Sequence, residues 1–205
     1  MFETNRLLLR GVDPDADLTT LMQWFNDAER STLMISGPIV PTSREQAKAA
    51  FQPRPDGLNL PFFAICEKQA DRTYPLQLEP GEDYIKACGP AIGLLNFQPK
   101  AFDYKNRIAT LGLTISDVRH RGKGYGREVL EWGLEYAFME LGLHRMSLEV
   151  YSFNEPAIAL YRKVGFVEEG RLRKVNFKGG KWYDTLQMGM LEEEWMELRE
   201  KLQQK

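Results

Sequence analysis

Residues 107–126, RIATLGLTISDVRHRGKGYG, join an alternating apolar stretch to a glycine-rich turn. Over Arg107–Val118, Ala109, Leu111, Leu113 and Ile115 alternate with Thr110, Gly112, Thr114 and Ser116. A period of two with one apolar face is a strand. The strand runs into Arg121-Gly122-Lys123-Gly124-Tyr125-Gly126, and a helical pattern follows to about Leu141. Leu130, Leu134, Ala137, Phe138 and Leu141 form its apolar face, and Gly142 stands where a left-handed C-terminal cap belongs. Glycines between strand and helix let backbone N–H groups approach a ligand, and the helix start adds unpaired N–H groups and the positive end of its dipole. With Arg121, Lys123 and Arg127 beside it, the turn suits a pyrophosphate. A purely structural strand-to-helix connection has the same letters, so both readings stand at this point.

Two other phosphate sites fit less well. A Walker-type loop needs Ser or Thr directly after its lysine, and Lys123 is followed by Gly124. A dinucleotide fingerprint counted from Gly122 needs glycine at Arg127, with an acidic residue roughly 20 positions on. Arg127 breaks it, although Glu149 keeps the second half formally alive. The antiparallel-looking strands before the turn also disfavour a parallel nucleotide-binding sheet.

Upstream, Arg6–Val12 reads as a strand and Asp13-Pro14 as a helix start, followed by Leu18, Leu21, Met22 and Phe25 on one face. A short helix opens near Thr42, with Glu45 completing a capping box, and ends before Pro53. Phe62–Cys66 and Ala91–Phe97 read as strands. Between them Glu67–Pro90 lacks periodicity, which marks an insertion or mobile loop. Downstream, Met146, Leu148 and Val150 alternate as a strand, and a helix spans Asn154 to about Val164. Two strands then meet at Gly179-Gly180, and a Glu-rich helix carrying Trp195, Leu198 and Leu202 follows. Hairpins mixed with crossover helices predict a mixed α/β sheet in a single domain over 1–205.

The chain has 205 residues, 43% hydrophobic and 27% charged, with a net charge of −2. That balance argues against a general affinity for nucleic acid or anionic membrane. No apolar run approaches the roughly 18 residues of a membrane span, and Met1–Arg10 does not resemble a signal peptide. Cys66 and Cys88 lack metal-ligand spacing and read as buried thiols rather than a disulfide. A cytoplasmic protein is the expectation.

Arg-x-x-Gly-x-Gly at 121–126 resembles the acyl-CoA signature of the GNAT acetyltransferases. Asn-x-x-Ala-x-x-Leu-Tyr-x-Lys-x-Gly-Phe at 154–166 is similar to the second half of the GNAT core, and is more specific. Glu169-Gly170, Gly179–Asp184 and Met188–Leu191 look like the branch of ribosomal-protein N-terminal and spermidine acetyltransferases. Asn5-Arg6-Leu7 and Trp24-Phe25-Asn26-Asp27 fit that branch too. The resemblance covers nearly the whole chain except Glu67–Pro90.

This resemblance implies the GNAT fold, a mixed, mostly antiparallel sheet with splayed central strands flanked by helices. It implies acetyl-CoA as cosubstrate, no metal, and transfer of the acetyl group to a primary amine by direct attack. The acceptor would be a peptide N-terminus, a polyamine or another small amine, and the reading allows a homodimer. Pantetheine would bond to the backbone around Ile115, Ser116 and Val118. The pyrophosphate would sit on Arg121, Gly122, Lys123, Gly124, Tyr125, Gly126 and Arg127, with Asn154 as a further CoA contact. Tyr161 would protonate the departing thiolate, and Glu149 would deprotonate the amine through water.

Each residue also has a structural reading. Tyr161 shares a helical face with Ala157, Leu160 and Val164, Asn154 is a good N-cap, and a strand carboxylate such as Glu149 is often only solvated. Trp24, Phe25, Tyr183 and Asp184 either border an acceptor pocket or serve the core and hairpin. A non-catalytic CoA-binding sensor of the same fold is the alternative function.

Overall fold

The computed structural model describes residues 2–29, 31, 40–51, 62–74, 76–78, 80–103 and 105–203. In chain order the strands are β1 (Leu7–Gly11), β2 (Phe62–Glu67), β3 (Ala91–Asp103), β4 (Ile108–Ile115), β5 (Arg145–Tyr151), β6 (Val167–Lys178) and β7 (Lys181–Leu191). The helices are α1 (Leu18–Phe25), α2 (Arg44–Ala49), α3 (Tyr84–Cys88), α4 (Tyr125–Glu135), α5 (Glu155–Val164) and α6 (Glu192–Gln203). A 3₁₀ turn covers Val118–His120, and a π turn, Tyr136–Glu140, continues α4. The strand order is β1-β2-β3-β4-β5-β7-β6. β1/β2, β2/β3, β5/β7 and β6/β7 pair antiparallel. β4 and β5 pair in parallel, through Ile108–Thr110 and Arg145–Ser147. The chain divides into two compact units, Met1–Asn96 with Leu113–Val129, and Phe97–Gly112 with Leu130–Lys205.

In the first unit, β1 buries Leu7, Leu8 and Leu9, and β2 buries Phe63, Ala64, Ile65 and Cys66. Such continuous runs are covered on both faces rather than alternating. Arg10 is buried too, and its guanidinium donates to both Asp17 oxygens at 2.7 Å. This pair moves the first helix. Asp13 does cap a turn, accepting from the N–H groups of Asp15 and Ala16 at 2.9 and 2.7 Å. Arg10 then captures Asp17, and α1 begins at Leu18 rather than at Pro14. Its buried residues are Leu18, Leu21 and Trp24.

The capping box of α2 is Ser43–Gln46, one residue later than the Thr42–Glu45 expected, because Asn26 Oδ1 takes the Thr42 N–H at 2.8 Å. Glu67–Pro90, read as aperiodic, contains α3. Asp83 caps it by accepting the Lys86 N–H at 2.9 Å, and Ala87 and Cys88 are buried. Cys66 and Cys88 are free and buried, and burial pushes the Cys66 thiol up to about 12. At Gly93 a Cβ would lie 2.2 Å from the Thr114 carbonyl oxygen, so glycine is required there for β3 and β4 to approach.

In the second unit, Met146, Leu148 and Val150 of β5 are buried as the alternation predicts. Their direct neighbours on the paired strand β7, Met190, Met188 and Leu186, are buried as well. The β6–β7 turn uses Gly179 and Gly180 at φ 54° and 79°, the paired positive φ of a tight hairpin. The π turn closes where the Leu141 N–H reaches the Tyr136 carbonyl at 3.1 Å, followed by Gly142 at φ 60°. The acidic start of α6 caps its own helix, because Glu194 Oε2 accepts the Leu191 N–H at 2.8 Å. Among the described residues no helix is long and apolar enough to cross a membrane.

Candidate functional site

The glycine turn lies in the first unit. Ser116 and Asp117 both donate their N–H to the Ile92 carbonyl, at 3.0 and 3.1 Å, which ends β4 against β3. The Ser116 N–H is therefore committed, and strand alternation turns the Ile115 backbone to the opposite edge. The Asp117 side chain caps the 3₁₀ turn through the Arg119 N–H at 3.0 Å. Bonds from the Arg119 side chain hold the Asp117 carboxyl far below the usual carboxylate range, and Val118 is exposed. Arg121 then folds back, and its Nε donates to the Ile115 carbonyl at 2.8 Å. That contact anchors one end of the guanidinium and leaves Nη1 and Nη2 without a partner among the described residues.

Gly122 and Gly124 adopt φ 75° and 84°. A Cβ at Gly122 would meet nothing within 4 Å, so glycine is needed there for conformation and not for space. Gly126 is helical, since α4 begins at Tyr125 inside the motif. The first hydrogen bond into the helix is from the Glu128 N–H to the Gly124 carbonyl, at 3.2 Å. The N–H groups of Gly124, Tyr125 and Gly126 have no partner among the described residues. This cluster of donors at a helix start, beside the exposed Arg121, Lys123 and Arg127, is built for an anion.

Tyr125 presents its backbone to the turn while its side chain points elsewhere. Its side chain is 5% exposed and turned inward, where the hydroxyl donates to Glu67 Oε1. Glu67 also bonds His120 Nε2 at 3.1 Å, and the Tyr125 hydroxyl leads in holding the Glu67 carboxyl below its usual range. His120 Nδ1 lies 3.3 Å from Asp117 Oδ2 but off hydrogen-bonding geometry. Only the Tyr125 backbone is available to a cofactor. A cleft of about 580 Å³ opens beside this network, with Thr20, Gln23, Trp24, Glu67, Gln69 and Asp117 in its wall.

The turn is held from behind by residues far away in the chain. Arg6, just before β1, donates Nη1 to the Lys123 carbonyl at 2.9 Å and Nε to Glu128 Oε2 at 2.7 Å. The Thr4 hydroxyl and the Arg6 N–H both reach Glu128 Oε1, at 2.5 and 2.7 Å. Burial alone would raise the Glu128 carboxyl, but these donors outweigh it and hold it below its usual range. No local spacing announces contacts between residues so far apart in the chain.

The second unit carries Glu149, Asn154 and Tyr161. Asn154 is the N-cap of α5, accepting the Ala157 N–H at 3.4 Å. That long bond leaves the side-chain N–H₂ group without a partner among the described residues. Tyr161 is 8% exposed and packs edge-on against Phe166 at 6.0 Å. Its hydroxyl has no hydrogen-bond partner among the described residues, and burial pushes it up to about 12. The phenol is therefore neutral throughout the physiological range. Glu149 is exposed on the face of β5 away from the core, and Gln187 Nε2 donates to it at 3.4 Å. On the same face Tyr151 is raised by burial and by the Glu149 charge. Trp24 is a core residue of the first unit at 2% exposure, and Phe25 packs against that cluster. Asp184 pins the β6–β7 hairpin by accepting the Lys174 N–H at 2.9 Å, and Tyr183 meets Phe153 edge-on at 4.9 Å.

The family model for the acetyltransferase (GNAT) domain matches residues 6–167. The SPbeta prophage-derived uncharacterized N-acetyltransferase YokL of Bacillus subtilis is 38% identical over 96 residues, 46% of this chain and 54% of that relative. Over such best-aligned stretches the chain spans about half the length of the curated relatives it matches. The uncharacterized N-acetyltransferase p20 of Bacillus licheniformis aligns more fully, 30% identical over 94% of this chain and 96% of its own. Among solved structures, the spermidine N-acetyltransferase of Vibrio cholerae in complex with CoA and spermine superposes with a TM-score of 0.74. It covers 93% of this chain and 98% of its own at 24% identity, a likeness of fold. The glycine turn and the Asn154–Phe166 segment both fall inside the matched domain, and the chain belongs to the GNAT acetyltransferase family.

Proposed function

We propose that the protein transfers the acetyl group of acetyl-CoA to a primary amine: a peptide N-terminus, a polyamine or another small amine. The observation that carries the reading is Tyr161, a buried phenol whose hydroxyl is left without a protein partner. The ring is packed against Phe166 while the hydroxyl keeps access to solvent, so a ligand can take its hydrogen bond. In this reading the turn Arg121–Arg127 binds the CoA pyrophosphate and Asn154 bonds a pantetheine amide. The Ile115 backbone, facing away from β3, adds pantetheine to the edge of β4 as a strand would be added.

The neutral amine attacks the thioester carbonyl, and the tetrahedral intermediate collapses by breaking the C–S bond. An ordinary thiol titrates near ~8.5, well below Tyr161. Tyr161 therefore acts by donating its hydrogen bond to the sulfur as negative charge develops there; the CoA leaves as a thiolate held by that bond and takes its proton from solvent, and Tyr161 keeps its own. Glu149, exposed on β5, removes the amine proton through water.

An acetyl-transfer screen over amines, polyamines and N-terminal peptides, read by released thiol, tests the proposal. Transfer to one class with saturating acetyl-CoA is the expected result. Slow thioester hydrolysis with no transfer across the panel would instead assign a CoA sensor. Binding of acetyl-CoA also raises the thermal midpoint by linkage. No shift at millimolar acetyl-CoA would sink the cofactor assignment.

A further inference from the structure

We infer that Arg6 is a positioning residue for the glycine turn, and that it acts by neutralising Glu128 as well as by shaping the turn. The inference rests on the reading that this turn holds the CoA pyrophosphate.

Glu128 stands in the first turn of α4. A carboxylate there stabilises its own helix dipole, but it also places negative charge beside a site meant for a multiply charged anion. Arg6 cancels that charge. Its Nε and Nη2 both lie 2.7 Å from Glu128 Oε2. Its own backbone N–H binds the other oxygen at 2.7 Å, alongside the Thr4 hydroxyl. The remaining nitrogen, Nη1, holds the Lys123 carbonyl at 2.9 Å. The peptide between Lys123 and Gly124 is planar and trans, so its C=O and N–H point in opposite directions. Fixing the Lys123 carbonyl on Arg6 therefore turns the Gly124 N–H away from Arg6, to the side where the anion sits. The guanidinium also lies 4.6 Å over the Tyr125 ring, and its Nη2 comes within 3.3 Å of where a Gly124 Cβ would be. Arg6 thus touches the turn, the helix start and the one acidic side chain in that first helical turn.

Four proteins test this: wild type, Arg6→Ala, Glu128→Gln, and the double variant. Each is titrated calorimetrically with CoA and with acetyl-CoA, and its thermal midpoint without ligand is recorded. Arg6→Ala should weaken binding of both probes about 10- to 100-fold. Its acetyl-CoA KM should rise, with kcat and the amine KM near wild type. The double variant should recover at least about threefold of that loss, because the uncompensated charge is gone. A brace without an electrostatic role predicts no recovery, since the Lys123 carbonyl is still unheld. Arg6→Lys keeps the charge but not the fork, and should fall between wild type and Arg6→Ala. It also supplies a folded comparison should Arg6→Ala prove too unstable. Binding by wild type together with equal binding by Arg6→Ala or, failing that, by Arg6→Lys overturns the role of Arg6. Weak binding with no recovery in the double variant overturns the charge argument. A wild type that binds neither probe overturns the acetyl-CoA reading itself, and this role with it.

Discussion

Arg121, Gly122, Lys123 and Gly124 are exposed in the first unit, and backbone N–H groups are among the donors there. Tyr161 in the second unit is 8% exposed, and the group that matters is a single side-chain hydroxyl. An anion site can remain open to water because its N–H groups are fixed by torsion angles and cost nothing to present. A phenol is neutral at neutral pH in any setting, and burial extends that neutrality into the alkaline range. The two regions therefore depend on different physical quantities, dihedral angles in one and dielectric environment in the other. Mutations should separate them cleanly.

The largest effect should come from removing the phenol. Tyr161→Phe keeps the ring against Phe166 and deletes only the hydroxyl, so kcat should fall by about 10²–10⁴, the usual range for a positioned acid. CoA affinity, measured calorimetrically, should stay within about twofold of wild type. Loss of binding together with turnover would mean that the two regions are not separable.

Tyr161 should also show itself in alkaline stability. Its hydroxyl is raised to about 12 in the folded protein. In the unfolded chain it titrates near ~10. Between those values the folded state keeps a proton that the unfolded state has lost. Stability is fully present below about pH 10 and declines as pH rises toward 12, by up to roughly 2–3 kcal/mol. Denaturant melts at pH 9 and pH 11 should show this slope, and Tyr161→Phe should flatten it. An activity loss near pH 9 would then have some cause other than ionisation of Tyr161.

Glu149 should matter less, because it is exposed and works through water. Glu149→Gln should cost about tenfold in kcat/KM at neutral pH. The loss should shrink as pH approaches that of the free amine, near ~8 for an α-amine or ~10 for a lysine-like one. A pH-independent loss would move Glu149 from proton removal to acceptor binding.

The local periodic signals were legible in the sequence. Alternation at Met146, Leu148 and Val150, the Gly179-Gly180 turn, and the glycine cap at Gly142 all stand where expected. The glycine turn was visible as a short run of chain, whereas Tyr161 was singled out by the resemblance of residues 154–166 to the GNAT core and not by any local period. What went unread was decided by partners far away. Asp13 has every local mark of a helix cap, yet Arg10 hands the start of α1 to Asp17. Thr42 and Ser43 both fit a capping box, and Asn26 decides between them. The Tyr125 side chain is drawn inward by Glu67, 58 positions away. α3 is too short to show a period at all. The Arg6–Glu128 contact spans 122 positions, and no window of sequence could contain it.

The smallest effect should test the torsional half of the comparison. Gly122 has φ 75° with open space around its missing Cβ. Gly122→Ala therefore meets no steric clash and carries only the left-handed penalty, about 1 kcal/mol. Gly124 has φ 84°, and a Cβ there would lie 3.3 Å from Arg6 Nη2. Gly124→Ala should show the same torsional cost plus displacement of Arg6. It should therefore weaken CoA more than Gly122→Ala, for which a loss of about two- to fivefold is expected. Asn tolerates left-handed φ better than Ala, so Gly122→Asn should lie closer to wild type in both stability and affinity. Equal losses for Ala and Asn at 122 would show that side-chain bulk against the ligand, and not backbone conformation, sets the requirement for glycine. The turn would then obey the same kind of rule as the Tyr161 pocket, and the contrast between the two regions would fail.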